Sequence, residues 1–253
     1  MNPKLNIVPT ADGSQTLRHE GLGQLYHSDR GAMGESMHVF ILNGLRSHPA
    51  WERVSPEYSA TGGNRSSAAD SRSAKAEGRP RSEHSDRPEA IAILEAGFGS
   101  GLNALLTLRE AELTGRAVDY TAVELYPVDP RTAARMDYAS DPRFMALHNA
   151  GWDGWQQITP LFRLRKIRAD LVECEFDTTF DIVYFDAFAP DVQPGLWSAE
   201  LFARIASRMN AGGILVTYSS KGAVKRGLAE AGLKVERLPG ALGKRHMVRA
   251  VKI

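Results

Sequence analysis

Two short stretches of this chain carry residue types whose order could do chemistry. The first is Glu95-Ala96-Gly97-Phe98-Gly99-Ser100-Gly101-Leu102-Asn103, in which an acid stands just ahead of three alternating glycines. Glycine lets the backbone turn sharply and lets a ligand approach closely. Free N–H groups at a helix start favour electron-rich ligand atoms. The second stretch is Phe180-Asp181-Ile182-Val183-Tyr184-Phe185-Asp186-Ala187-Phe188-Ala189-Pro190, an apolar run leading straight into Asp, an aromatic and Pro. A carboxylate placed there can accept hydrogen bonds from an amine, orient its lone pair and take up a proton. An alkylamine needs that help, because with a pKa near about 10.4 it is largely protonated at neutral pH. Phe188 can wall a flat base, and Pro190 can fix the loop.

Two cofactors compete for the glycine loop. Gly99-x-Gly101-x-x-Ala104 formally matches the dinucleotide fingerprint. The glycines begin two residues earlier, however, and the acid ahead of them favours S-adenosylmethionine, whose positively charged methionine end would lie near Glu95. A pyrophosphate in the same place would be repelled by that carboxylate. Glu124, at the end of the next apolar run, suits ribose hydroxyls with either cofactor, and Asp170, after the third, suits an adenine amino group. Taken singly, Glu124 and Asp170 could instead be helix caps or surface acids, and Asp186 a turn former. A loop that keeps its shape and binds nothing is the remaining alternative.

Ligands of this kind sit at the carboxyl ends of parallel strands, and the pattern provides such strands. Ile91–Glu95 reads as a buried strand ending at the glycines, and Leu102 to Leu113 follows helical spacing. Val118–Leu125, Leu161–Ala169, Phe180–Phe185 and Gly213–Tyr218 read as further strands. Pro130 to Met136 can start a helix, Ser198 to Met209 has an N-cap serine, and Gly222–Glu230 is a basic helix. Leu233–Leu238 and His246–Ile253 close the chain as two strands with no helix between them. The expected fold is therefore α/β, with a mostly parallel sheet and an antiparallel C-terminal strand pair. Before it, Leu17-Arg18 and Gln24 to Ser28 look like a short hairpin, and Ser36 to Leu42 is apolar enough for a strand or a short helix. Residues 60–88 contain no large apolar residue and read as a flexible insertion. The division expected is a small β-rich appendage over 1–59 packing on the main domain, the insertion over 60–88, and the cofactor-binding domain over 89–253.

The chain has 253 residues, 43% hydrophobic and 24% charged, ordinary values for a globular protein with a sizeable core. One cysteine, Cys174, excludes an internal disulfide framework and a multi-cysteine zinc site; no metal is expected. No run approaches about eighteen apolar residues, and Met1 to Thr10 lacks the layout of a signal peptide. A cytoplasmic protein without membrane contact is expected, and no obligate protein partner is evident. The net charge is +1, yet Leu201 to Ile253 holds 11 Lys and Arg against 2 Asp and Glu. Such a basic segment suits a face that meets a polyanion, or else a solvated surface.

Taken together, several motifs resemble the methyltransferase half of the bacterial MnmC family. They are Gly97 to Asn103, Asp186 to Pro190 with Leu196-Trp197, Gly212-Gly213, Thr217 to Ser220, Val224 to Leu228, Ala231 to Leu233, and Gly243-Lys244-Arg245-His246-Met247. Tyr26-His27-Ser28 and Gly31 to Ile41 extend the resemblance towards the N-terminus. It implies a Rossmann-like class I S-adenosylmethionine-dependent methyltransferase. The implied reaction is N-methylation of 5-aminomethyl-(2-thio)uridine to 5-methylaminomethyl-(2-thio)uridine at the tRNA wobble position. The fused family form also has an FAD-dependent oxidase half. This chain, ending at Ile253, resembles instead the stand-alone MnmD-type form, which implies no FAD and a ready-made aminomethyl group on the tRNA anticodon stem-loop.

By the same resemblance Glu95, Gly97, Phe98, Gly99, Gly101 and Asn103 hold the methionine end, Glu124 the ribose and Asp170 the adenine. Asp186 is the catalytic residue that activates the amine, and Tyr26, Glu35 and Ser36 cover the cofactor. Phe188 and Pro190 meet the base, while Lys221, Lys225, Arg226, Lys244 and Arg245 hold phosphates. His246 stands where the family more usually has an acid. A small-molecule amine N-methyltransferase would share the loop and Asp186 without needing the basic segment. A non-catalytic RNA-binding relic would have no need of the acids at 95, 124, 170 and 186.

Overall fold

The computed structural model describes residues 4–52 and 89–253; the Ser/Arg-rich stretch over 60–88 lies outside the described residues. Three strands come first: β1 (Leu5–Pro9), β2 (Gln15–His19) and β3 (Gln24–Leu25), joined antiparallel in that order. Helix α1 (Ala32–Ser36) runs directly into a π-helical turn over Met37–Leu42, and α2 (Pro49–Glu52) follows. The larger part is built from β4 (Ile91–Ala96), α3 (Leu102–Thr114), β5 (Val118–Val123), α4 (Pro130–Ala133) and α5 (Pro142–Asn149). It continues through β6 (Trp155–Thr159), β7 (Phe162–Ile167), β8 (Phe180–Phe185), α6 (Ala199–Ser207) and β9 (Met209–Thr217). The last elements are α7 (Gly222–Glu230), β10 (Leu233–Pro239) and β11 (His246–Lys252).

The eight later strands form one sheet in the order β10-β11-β9-β8-β4-β5-β7-β6. The five central ones run parallel, and β11 enters antiparallel between β9 and β10. The C-terminal antiparallel pair is thus as the missing helix between its strands implied. β6 adds a second antiparallel edge, paired to β7. Neither that strand nor β1 nor α5 is anticipated by the sequence pattern above. β6 is short and largely exposed, so it carries no apolar alternation. α5 did carry a signal: Asp141 accepts the Arg143 N–H at 3.0 Å, and Pro142 opens the first turn, the usual cap-then-proline start.

Strand alternation decides which face each side chain serves. Ile91 and Ile93 of β4 join one apolar cluster, with Leu105 and Leu108 of α3 and Phe144 of α5. Leu94 and Ala96 join the other, with Leu201, Phe202 and Ile205 of α6. On β8, Ile182 and Tyr184 serve the first cluster, Val183 and Phe185 the second. Glu95 and Asp186 therefore both fall on the α3 side, at the carboxyl ends of neighbouring strands. The N-terminal elements share that core: Leu17, Phe40, Ile41 and Leu45 lie in the cluster of Ile93, and the rings of Phe40 and Tyr184 are 5.3 Å apart. No helix among the described residues is long and apolar enough to cross a membrane.

Candidate active site

The end of β4, the start of α3 and the end of β8 meet at one amide. Asn103 Nδ2 donates to Glu95 Oε1 at 3.0 Å and to Asp186 Oδ2 at 2.8 Å. Two carboxylates brought this close in an apolar setting resist ionisation together. Burial, then the charge of Asp186, holds Glu95 well above the usual carboxylate range, with the Asn103 hydrogen bond opposing. Burial and then the Glu35 carboxylate push Asp186 up to about 8, against the Asn103 amide and the Lys244 ammonium. The amide oxygen of Asn103 is buried and has no hydrogen-bond partner among the described residues. It is an acceptor awaiting a donor, and an unsatisfied group of that kind costs about 1–3 kcal/mol.

A cavity of about 280 Å³ opens beside this amide. Its floor is the glycine loop, Gly97 to Ser100; its walls include Glu124, Asp170, Asp186 and Phe188, and Tyr26 and His27 reach it from the N-terminal elements. Two glycines are sterically required. Gly97 has φ +92°, and a Cβ there would lie 2.9 Å from the Asp186 carbonyl oxygen; Gly99 has φ +52°, and its Cβ would meet Tyr26 Cδ1 at 2.9 Å. Glu124 accepts the Gly99 N–H at 3.0 Å and the Tyr126 N–H at 2.8 Å. Burial raises Glu124 above its ordinary range, and burial together with the Glu124 charge raises Tyr26. Asp170 accepts the Val172 N–H at 2.9 Å. Gly101 begins α3, its carbonyl accepting the Leu105 N–H at 3.0 Å.

Several supports of the loop were not visible in the sequence. His27 Nε2 and Ser100 Oγ are 3.0 Å apart, and His27 Nδ1 lies 3.9 Å from Asp186 Oδ2. Burial holds His27 at about 4, so at neutral pH this contact is polar and not an ion pair. On the far side of the loop His148 Nε2 donates to the Ser100 carbonyl at 3.0 Å. His148 is also buried and held at about 4. Lys166, 1% exposed, donates at 2.9 Å to the carbonyls of Leu147 and His148. Burial lowers it to about 8, while those helix-terminal carbonyls and the Trp152 ring, 4.8 Å away, keep a cation tolerable there. No residue spacing announces such a brace; it depends on β7 lying beside the end of α5.

The Asp186 loop is fixed from two sides. Trp197 Nε1 donates to the Phe188 carbonyl at 2.8 Å, and Tyr218 Oη to the Ala187 carbonyl at 2.9 Å. The Phe188 ring meets Tyr26 edge-on at 5.0 Å and His19 at 6.0 Å. Pro190 follows on the partly exposed loop and does not line the cavity. Glu35 and Ser36 do not line it either, and of the expected cofactor residues Glu95, Gly101 and Asn103 lie behind its surface. Ser36 is fully buried; Glu35 accepts the Ser28 N–H at 2.7 Å and pairs with Lys244.

The other expected cations differ from Lys244. Lys221 pairs with exposed Asp191, a contact worth about 0–1 kcal/mol and easily exchanged. Arg226 and Arg245 are exposed and Lys225 partly so. Desolvation and then the positive charges of Arg237, Arg245 and Lys225 hold His246 below its ordinary range. Four basic side chains thus share a patch around the β10–β11 turn. Among the described residues no group of three or more His, Cys, Asp or Glu is placed to hold a metal.

Comparison with known proteins gives a consistent picture. A family model described as S-adenosyl-L-methionine-dependent methyltransferase matches residues 161–253. The bifunctional tRNA 5-methylaminomethyl-2-thiouridine biosynthesis proteins MnmC of Thiobacillus denitrificans and Pseudomonas paraeruginosa are 28% and 30% identical over 243 and 244 residues. Those alignments cover 90% and 89% of this chain but 34% and 32% of the relatives, so the chain spans about a third of their length. The crystal structure of MNMC2 from Aquifex aeolicus superposes with a TM-score of 0.68 at 26% identity, over 98% of this chain and 70% of that one. The fold is that of the class I S-adenosylmethionine-dependent methyltransferases, with a small antiparallel sheet at its N-terminus.

Proposed function

We propose that this chain, homologous to the methyltransferase part of MnmC over about 90% of its length, is an S-adenosylmethionine-dependent methyltransferase that methylates the aminomethyl nitrogen of 5-aminomethyl-(2-thio)uridine at the wobble position of tRNA. The observation that carries this reading is Asp186, a carboxylate pushed up to about 8 at the lip of the glycine-loop cavity. Once ionised, which at neutral pH costs about 1.4 kcal/mol, a base of that strength takes a proton from an alkylamine at a further cost of about 3 kcal/mol, against about 9 for an ordinary carboxylate.

The residues present fit the cofactor. The cavity floor excludes a Cβ at Gly97 and Gly99, and the buried Asn103 oxygen suits an ammonium donor such as the one on the methionine moiety. Glu95 and Asn103 would hold that end, Glu124 the ribose and Asp170 the adenine, with Tyr26 covering the loop. When bound, S-adenosylmethionine supplies an electrophilic methyl group on a sulfonium. Asp186 accepts the amine's hydrogen bond, takes its proton and leaves the lone pair directed into the cavity. Phe188, pinned through its carbonyl by Trp197, offers its ring to the uracil, and stacking of a splayed base is how proteins commonly read single-stranded RNA. Lys225, Arg226 and Arg245, with Lys221 released from Asp191, would follow phosphates along the stem-loop.

The test is mass spectrometry of nucleosides from aminomethyl-bearing tRNA after incubation with the protein and S-adenosylmethionine. Conversion to the 5-methylaminomethyl nucleoside supports the proposal. Methylation of a free amine with none of the tRNA would favour a small-molecule methyltransferase instead.

A further inference from the structure

Lys244 does not line the cavity, but its place behind the Asp186 loop suits a task other than gripping phosphate. Lys244 lies in the turn between β10 and β11, where its N–H donates to the Ala241 carbonyl at 2.8 Å. Arg30 ties the same turn to the N-terminal elements by donating to the Leu242 carbonyl at 3.2 Å. The Lys244 ammonium pairs with Glu35 of α1, whose side chain is only 6% exposed, and stands 5.4 Å over the ring of Tyr218. Tyr218 in turn holds the Ala187 carbonyl, next to Asp186. The cation is therefore braced against the loop that carries the proposed base.

We propose that Lys244 is a fixed positive charge behind the Asp186 loop, lowering the pH at which Asp186 and the incoming amine lose their protons. This rests on the amine-methylation reading above. The groups facing this corner are Glu35 from α1, His27 after β3, Glu95 from β4, Asp186 after β8 and Tyr218 after β9. Arg30 touches the turn from outside, and Arg245 and His246 continue it toward solvent. With His27 neutral, the Glu35 carboxylate and the ionised form of Asp186 would favour the substrate as an ammonium ion, which lacks the lone pair that displacement requires. A cation beside an amine disfavours its protonated form, and Lys244 offsets Glu35 directly. Methyl transfer then balances simply: the amine proton goes to Asp186, the nitrogen lone pair forms the new N–C bond, and the breaking S–C pair stays on sulfur.

The experiment compares wild type, Lys244→Met and Lys244→Arg on aminomethyl-bearing tRNA across pH, alongside tRNA binding as a function of salt. The Asp186 carboxyl is also titrated by carbon NMR in the ligand-free proteins. Lys244→Met should move the acid limb of kcat upward by about one pH unit and raise the Asp186 midpoint in the same sense. It should leave tRNA affinity and its salt slope unchanged, and Lys244→Arg should restore the limb. An unmoved limb and Asp186 midpoint would overturn the proposal. So would a weaker complex whose salt slope falls by about 0.7–0.9, the mark of one phosphate fewer being neutralised. If Lys244→Met does not fold, Glu35→Gln carries the test: with the counter-charge gone the limb must move down, and a static or rising limb overturns the idea. Wild type that methylates no tRNA at any pH would defeat the parent reading, whereas active wild type with an insensitive limb defeats this inference alone.

Discussion

Glu95 and Asp186, on adjacent parallel strands, are joined through one donor: the Asn103 amide nitrogen lies 3.0 Å from the first carboxylate and 2.8 Å from the second. That shared hydrogen bond works against burial in setting the proton affinity of Asp186. Asn103→Ala should therefore raise the acid limb of the pH–rate profile and lower kcat by roughly 10–100-fold. A profile identical to wild type would mean that the amide does not tune the base.

The raised carboxylates also make stability depend on pH. Asp186 binds its proton up to about 8 when folded, against an ordinary value of 3.8. The folded state thus holds the extra proton in that window, and the stability this contributes is complete below about pH 4 and lost as pH rises toward 8. The loss amounts to at most about 1.4 kcal/mol per pH unit for such a group. Denaturant unfolding of the ligand-free protein should show Asp186→Asn gaining on wild type as pH rises from 5 to 8. Parallel curves would place Asp186 in an ordinary environment.

His27 and His148 act in the opposite sense. Both are buried and held at about 4, so their contribution is present above the unfolded value near 6.5 and is lost as pH falls toward 4. Replacement of His148 by Gln should flatten that acid-side loss by up to about 1.4 kcal/mol per pH unit, read from urea midpoints between pH 7 and 4.5. An unchanged slope would show that His148 charges freely in the folded protein.

Gly97→Ala should cost about 1–2 kcal/mol, because the backbone there has φ +92° and the new Cβ would stand 2.9 Å from the Asp186 carbonyl oxygen. The clash also moves the loop that bears Asp186, so cofactor affinity measured by calorimetry should fall with stability. A variant of normal stability and affinity would show that the loop does not need the glycine.

Charge reversal at Lys225 and Arg245 should weaken tRNA binding at low salt and reduce the salt slope by about 0.7–0.9 for each phosphate no longer neutralised. Filter binding across a salt series reads both quantities. An unchanged slope would put the RNA on another face.

Much of this site was legible because the relevant residues are consecutive. The glycine loop and Asp186 each close an apolar strand, and strand alternation alone sends Glu95 and Asp186 to the same side of the sheet. The antiparallel C-terminal pair could be read from the missing helix between its strands. What the sequence did not show depends on approach between distant segments. The hydrogen bond from His148 to the Ser100 carbonyl and the cap of Lys166 on α5 join residues 48 and 18 positions apart. Lys244 illustrates the limit well. It neighbours Arg245 in a basic turn, so charge counting groups the two, yet one side chain turns inward to Glu35 and the other outward to solvent. No local pattern distinguishes them.

The most direct test of the central claim is single-turnover methyl transfer to aminomethyl-bearing tRNA at saturating S-adenosylmethionine, in wild type and Asp186→Ala, with cofactor affinity measured calorimetrically on the same preparations. The expected result is one methyl on the aminomethyl nitrogen with wild type and none with the variant, at similar cofactor affinity. Equal transfer by both proteins would contradict the account.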